Sequence, residues 1–296
     1  MTRRTALSTL AATPAALAQT GNRSGMPPVC IFSKHMAQFG WDELGKKAKE
    51  IGFDGIDLTV RAKGHVEPAR AAEDMPKAVG AIRDAGVSVP MITTGLLEAS
   101  DPAARPTLSA AAKLRIPYWK PGYYRYKFDK PVNQTVEETK KSFAGLVALS
   151  KEYGVTAGFH NHSGDYFGAA VWDTREIIAD TDPKTVGYYF DPGHATIEGG
   201  LGGWRISLNM VMPRLKMVAL KDFYWAKDRA GKWKLTWCPM GEGMVDWPRV
   251  FATFAAARFT GPLSLHVEYG DPKDELPNIL KDYEFIRKHV TAAYKG

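Results

Sequence analysis

The chain has 296 residues, of which 45% are apolar and 24% charged, and its formal net charge is +7. This balance is typical of a soluble globular protein. No apolar run reaches the roughly 18 residues that a membrane span needs, and the lysines are spread along the chain rather than gathered in a stripe. We therefore predict no membrane span and no nucleic-acid partner.

The first eighteen residues have the pattern of an export signal. Arg3 and Arg4 form a twin-arginine start, a mildly apolar stretch without charge follows, and Ala16-Leu17-Ala18 has the small-x-small pattern of a cleavage site. An alanine-rich unstructured start is the alternative. We predict twin-arginine export to the periplasm or the medium, with a signal peptide at 1–18 and a linker at 19–28.

Strand and helix patterns then alternate along the chain. Short runs rich in β-branched and aromatic residues predict strands, and apolar residues that recur every three or four positions predict helices, two of which end at Gly52 and Gly154. The predicted strands are Val29 to Phe32, Phe53 to Thr59, Val87 to Thr94, Ile116 to Lys120, and four apolar runs that begin at Val155, Val186, Val218 and Leu263.

Eight strand-helix units are the number that closes an α/β barrel. A doubly wound open sheet would instead need a glycine-rich first turn, and the segment from Val29 to Ala37 has no GxGxxG motif. We therefore predict an α/β fold of the (β/α)8 TIM-barrel type, as a single domain over 29–296.

The last four predicted strands all end in polar residues, and in a parallel barrel these ends meet at one rim. Imidazole and carboxylate groups together are ligands for a divalent transition metal. Taken singly, Asp191 could cap a turn and Lys221 could pair with Asp222, and we predict that His266 belongs to the core. The strand-end residues are His160, His162, Asp191, His194, Lys221, Asp222, His266 and Glu268.

On these residues the chain resembles the sugar phosphate isomerase/epimerase superfamily of xylose-isomerase-like barrels, over roughly Val29 to Val290. The resemblance implies one divalent metal at the rim, held by carboxylates of strands five, six and eight and by a histidine of strand seven. It also implies that two glutamates shuttle the proton of an epimerisation. The matching motifs are Gly52 to Asp57, His160-Asn161-His162, Asp191 to His194, Leu220-Lys221-Asp222, Gly241 to Trp247 and His266-Val267-Glu268.

Carried over to this chain, the resemblance assigns Asp191 to the strand-six ligand and Glu268 to the strand-eight ligand. His160 stands where the family usually has a glutamate, and Ala219 stands where it has the histidine. Two-base epimerisation is therefore reduced to one glutamate, and His162 or His194 would have to supply the missing ligand. We predict one divalent ion (Mn, Zn or Mg) with the ligands His160, His162, Asp191 and Glu268.

Proton transfer is expected from Glu268, Lys221, His162 and His194. Strand alternation places Lys221 on the inward face that Ala219 shares and turns Asp222 away. Because a cation would compete with a bound metal, we expect the Lys221 ammonium to lie farther out, toward substrate oxygens.

The predicted function is that of an exported, metal-dependent isomerase or epimerase acting on a sugar, keto-sugar or cyclitol. A lyase or dehydratase, which needs one base, is the alternative, and so is a barrel that binds carbohydrate without turnover. Aromatic residues after strands four and seven favour a small, unphosphorylated carbohydrate ligand, with contacts from Trp119, Tyr124 and Trp225. Homo-oligomerisation is possible.

Overall fold

The computed structural model describes residues 25–271 and 275–296. The predicted signal peptide at 1–18 and the part of the predicted linker before residue 25 lie outside these ranges. Eight parallel strands close into a barrel in the order β1-β10-β7-β6-β5-β4-β3-β2, which confirms the predicted TIM barrel. The barrel strands are β1 (Val29–Phe32), β2 (Gly55–Val60), β3 (Ser88–Thr94), β4 (Tyr118–Lys120), β5 (Thr156–His160), β6 (Val186–Phe190), β7 (Leu215–Leu220) and β10 (Leu263–Leu265).

Helices alternate with the barrel strands, as the hydrophobic periodicity predicts. Gly52 follows the first helix with φ 108°, and its N–H donates to the carbonyl of Ala48, so a glycine ends the helix where the sequence places it. No helix of the described ranges is long and apolar enough to cross a membrane. The helices are α1 (Trp41–Ile51), α2 (Ala71–Asp84), α3 (Ala104–Lys113), α4 (Val132–Tyr153), α5 (Trp172–Ile178), α6 (Pro192–Val211), α7 (Trp247–Ala256) and α8 (Glu275–Lys295).

An antiparallel hairpin interrupts the alternation after β7. Its strands are β8 (Asp222–Lys227) and β9 (Trp233–Cys238), and they pair with Asp222 opposite Cys238 at the base. A long loop is predicted here from the sequence, although Trp233 to Trp237 alternates apolar with polar residues, as in a half-exposed strand. The hairpin rises from the same end of the barrel as the polar strand ends.

Two apolar clusters fill the protein. The larger one lies between the strands and the helices, and a small inner cluster contains Met91, Tyr189, Met217 and Ala219 with Tyr118 packed against it. Ala219 therefore faces the barrel interior, as strand alternation predicts. With Tyr118 inside, the next residue, Trp119, faces outward, and its indole N–H donates to Ser150 on α4 at 3.1 Å.

Candidate metal and catalytic site

Asp191 is fixed in place where β6 ends and α6 begins. Its carboxylate caps α6 by accepting the N–H of His194 at 2.9 Å, and Pro192 occupies the first helical position. Asn161 binds the backbone of Asp191 on both sides, since its amide donates to the carbonyl at 3.0 Å and its oxygen accepts the N–H at 2.7 Å. These bonds hold the ends of β5 and β6 together and aim the carboxylate into the mouth of the barrel.

Two imidazoles face this carboxylate. Nε2 of His160 lies 3.7 Å from Oδ2 of Asp191, and Nε2 of His194 lies 3.8 Å from the same oxygen. Three ligand atoms of these residues lie within 4.8 Å of one another, and the two Nε2 atoms and Oδ2 are buried without a well-aligned hydrogen bond. Two imidazole nitrogens without hydrogen-bond partners beside a buried carboxylate oxygen fit a divalent metal, and two nitrogens with one oxygen suit Zn²⁺ or Mn²⁺ better than Mg²⁺.

Electrostatics keep the histidines of the site in the neutral form that binds metals. Burial, together with the charges of Lys120 and Lys221, lowers the pKa of His160 well below its usual value. Burial and the charge of Lys221 do the same for His194 and lower the pKa of His162 to about 4. At neutral pH the imidazoles are therefore free to offer a lone pair.

Lys221 does not have the predicted position, in which its ammonium lies away from the metal ligands and toward substrate oxygens. Its Nζ is 3.1 Å from Oδ2 of Asp191, so the ammonium touches the proposed metal ligand instead of lying farther out. The expectation is wrong because Asp191 is fully buried, and an ammonium at the end of the next strand stabilises its charge. Any bound metal would share Oδ2 with Lys221 or displace it.

Glu268 and His162, two of the four predicted ligands, lie beside the His160–Asp191–His194 group rather than within it. The Glu268 carboxylate pairs with Lys34 at 2.9 Å. Burial alone would raise its pKa, but Lys221 and Lys34 outweigh burial and lower the pKa to about 2. The His162 ring lies against that of His194, with 3.9 Å between centroids and 36° between ring planes. Both side chains therefore remain at the mouth, where they can contact a substrate.

Beneath the mouth, Asp57 anchors a buried polar network. Its carboxylate accepts hydrogen bonds from Thr93 at 2.8 Å, Ser264 at 3.0 Å and Tyr189 at 3.1 Å. Tyr189 also bonds His266 at 3.0 Å. His266 thus has a partner in the core, in agreement with its predicted structural role.

Of the three aromatic residues predicted to contact substrate, two are turned away from the mouth. Trp119 is buried against α4, and Tyr124 stacks on Phe159 and donates to the carbonyl of Leu97. Both residues follow the predicted strand four, but position in the sequence does not give the direction of a side chain, and strand alternation turns Trp119 outward. Trp225 lies on the hairpin, half-exposed, with its ring edge-on to Phe223.

The aromatic rings that reach the site include those of Tyr123 and Trp237, along with Tyr166, 4.4 Å from the His162 ring, and Tyr189, 4.5 Å from the His160 ring. The Tyr123 ring lies 5.5 Å from that of His160 and 4.9 Å from that of His162. The Trp237 ring lies 5.4 Å from that of His194, and Nζ of Lys221 is 5.1 Å from its centroid. Their place in the sequence gave no reason to prefer them over their neighbours.

Asp222 faces away from Lys221, as predicted, and organises the Gly241 to Trp247 segment. Its carboxylate accepts the N–H groups of Gly241 at 2.9 Å and Gly243 at 3.2 Å and the indole N–H of Trp247 at 2.8 Å. A Cβ on Gly243 would lie 2.1 Å from Oδ1 of Asp222, so only glycine fits there. This motif is therefore structural support for the mouth.

The chain is similar in sequence to a known protein family and to a characterised enzyme. A family model described as the xylose isomerase-like TIM barrel matches residues 46–289. An inosose dehydratase from Lactiplantibacillus plantarum is 25% identical over 176 residues, which is 55% of this chain and 57% of that protein's length.

Solved structures share the fold at low identity. A xylose isomerase-like TIM barrel protein from Mycobacterium smegmatis, in complex with magnesium, superposes with a TM-score of 0.70 at 16% identity, over 92% of this chain and all of the other. A 3-keto-D-glucoside 4-epimerase from E. coli superposes with a TM-score of 0.66 at 15% identity, over 88% of this chain and 99% of the other.

Proposed function

Because the chain belongs to the xylose isomerase-like TIM barrel family, we propose that it is a metal-dependent enzyme that moves a proton next to the carbonyl of a keto-sugar or cyclitol. The observation that carries this proposal is the group of closely spaced, buried ligand atoms on His160, Asp191 and His194 at the strand ends, in which neither Nε2 atom has a hydrogen-bond partner. These three residues would hold the ion. A divalent metal supplies a Lewis acid that polarises a substrate oxygen.

The other side chains of the mouth supply the base and the positive charge. Glu268 is ionised at neutral pH, because its pKa is about 2, and can accept a proton once a substrate displaces the half-exposed Lys34 from it. The Lys221 ammonium, held at Asp191, offers a charge that would stabilise an oxyanion formed when the proton leaves. Neutral His162 and His194 are the further proton carriers of the site.

Isomerisation or epimerisation is the reaction that we propose first, since sugar epimerases are among the structural relatives. Dehydration is the second candidate. The similarity to an inosose dehydratase favours it. His160 at the strand-five position also favours it, because Glu268 is then the one glutamate left of the pair, and dehydration needs only one base. We also propose export, on the twin-arginine pattern of the first eighteen residues.

Metal content and proton exchange together test the proposal. Purified protein should contain about one zinc or manganese ion per chain, and Asp191→Asn should lose it. Asparagine still caps the helix, so this variant removes the charge without removing the cap. Asp246→Asn, the same change at the exposed cap of α7, should keep the metal.

In deuterated water, keto-sugars and cyclitols offered as substrates should gain deuterium next to the carbonyl. An isomeric product would identify an isomerase or epimerase, and an unsaturated product with loss of water would identify a dehydratase. Protein that binds no metal and exchanges no proton with any of them would refute the proposal.

A further inference from the structure

Two cations at the mouth have no carboxylate partner. Arg61 directly follows β2, and Lys120 is the last residue of β4. Within 25–271 and 275–296, no ion pair or side-chain hydrogen bond joins either cation to another residue, whereas Lys34 pairs with Glu268 and Lys221 with Asp191. The arrangement therefore leaves positive charge at one side of the mouth uncompensated.

Lys120 is the more unusual of the two, because its side chain is only 2% exposed. Strand alternation turns it into the barrel, since its neighbour Trp119 points out to α4. Its Nζ lies 3.2 Å from the centre of the Tyr123 ring, a cation–π contact that offsets part of the cost of burial. Burial of the charged form is nevertheless unfavourable, and burial and the charge of Arg61 lower the pKa of Lys120 well below its usual range.

Asp57 compensates the charge of Lys120 only in part: its charge acts to raise the pKa of Lys120, but no ion pair or hydrogen bond joins these two side chains. Its two oxygens already accept hydrogen bonds from Thr93, Ser264 and Tyr189. Burial also raises its pKa, which weakens the charge that it could offer. Within the described residues the charge of Lys120 is therefore only partly compensated, which leaves room for a negative group of a ligand.

We propose that Lys120 and Arg61 form a subsite for an anionic group of the substrate, a carboxylate or a phosphate. The substrate is then a sugar acid or a sugar phosphate, in place of the unphosphorylated, neutral carbohydrate that the sequence favours. A guanidinium binds either group through two parallel hydrogen bonds, and an ammonium adds a point charge. This inference rests on the proposed function, because it names the class of substrate for the same mouth.

Tyr123 connects this subsite to the rest of the site. Its ring contacts the ammonium of Lys120 and also the rings of His160 and His162. An anion held at Lys120 would therefore place the remainder of a six-carbon substrate within reach of the proposed metal ligands. The Arg61 guanidinium, 5.4 Å from the centre of the Phe32 ring, lies at the rim where such an anion would enter.

Binding measured by calorimetry tests the subsite without requiring turnover. The probes are glucuronate and galacturonate, their neutral counterparts glucose and galactose, and glucose 6-phosphate. At least one anionic probe should bind the wild-type protein more tightly than its neutral counterpart. Lys120→Met and Arg61→Met should each weaken that binding by about 10- to 100-fold, the usual loss for a hydrogen bond to a charged group, and leave neutral-sugar binding unchanged.

Lys113→Met, at the exposed end of α3, removes the same charge at the opposite end of the barrel, where the chain enters β4, and should bind every probe normally. Preference for the uronates would identify a carboxylate site, and preference for the phosphate a phosphate site. If Lys120→Met does not fold, Arg61→Met alone tests the subsite, because Arg61 is only half-buried. Equal binding of acids and neutral sugars, or unchanged binding of the acids by Arg61→Met, would overturn the subsite.

The two proposals can fail separately. If uronates bind through Lys120 but the protein holds no metal and exchanges no proton with any keto-sugar or cyclitol, the subsite stands and the proton-transfer function is refuted. Proton exchange with neutral sugars that bind as tightly as their acids would support the function and refute the subsite.

Discussion

Replacing Asp222 by asparagine should destabilise the protein strongly, although the two side chains have nearly the same shape. The carboxylate is buried, with 1% of the residue exposed, and it lies between β7 and the segment before α7. Its oxygens accept five hydrogen bonds, from the N–H groups of Phe223 (2.8 Å), Gly241 (2.9 Å), Gly243 (3.2 Å) and Val245 (3.3 Å) and from the indole of Trp247 (2.8 Å).

The size of the effect follows from how these bonds divide between the two oxygens. Oδ2 accepts three of them and Oδ1 accepts two, so the amide nitrogen of asparagine faces at least two N–H groups that it cannot accept. Each buried donor left without an acceptor costs about 1–3 kcal/mol. We expect a loss of about 2–6 kcal/mol in the free energy of unfolding, and a fall of roughly 4–24 °C in the unfolding temperature.

Urea and thermal unfolding, followed by circular dichroism, measure this loss. Asp246→Asn is the matched control, because Asp246 lies in the same motif but is exposed and only caps α7. Asparagine caps a helix as well as aspartate does, so this control should stay within about 0.5 kcal/mol of wild type. If Asp222→Asn unfolds within about 1 kcal/mol of wild type, the carboxylate does not organise the segment as described.

Three further outcomes are expected. Burial raises the pKa of Asp282, which accepts the N–H of Met240, to about 7. Its stabilising contribution is therefore full below the unfolded pKa and is lost as pH rises toward 7. In urea titrations, the free energy of unfolding of Asp282→Asn should accordingly gain roughly 3–4 kcal/mol over that of the wild type between pH 4 and pH 8. Trp119→Phe removes the bond to Ser150 and should lower stability by about 1–3 kcal/mol while leaving sugar binding unchanged by calorimetry; weaker binding would restore its predicted substrate role. Protein recovered from its native host should begin near Gln19 by mass spectrometry, and an intact N-terminus would exclude cleavage of the signal.

The sequence by itself determined the barrel. Eight apolar runs, separated by helical periodicity and closed by glycines such as Gly52, specify alternating strands and helices, because these signals are local and repeat along the chain. Local signals also placed the polar strand ends, since each strand of a parallel barrel delivers its last residues to one rim. The inward face of Ala219 and the outward face of Asp222 followed from alternation alone.

Tertiary structure decided which of those polar side chains meet. His194 joins His160 and Asp191 because the α6 cap turns its ring back toward the carboxylate, whereas Glu268 pairs with Lys34 from the far end of the chain. The position of Trp237 at the mouth likewise depends on a hairpin remote in sequence from His194. Whether a carboxylate reaches Lys120 also depends on segments remote from it in sequence. Spacing along a strand gives the direction in which a side chain points, but not its distance from side chains on other strands. Ion pairs between strands form only when closure of the barrel brings the strand ends together.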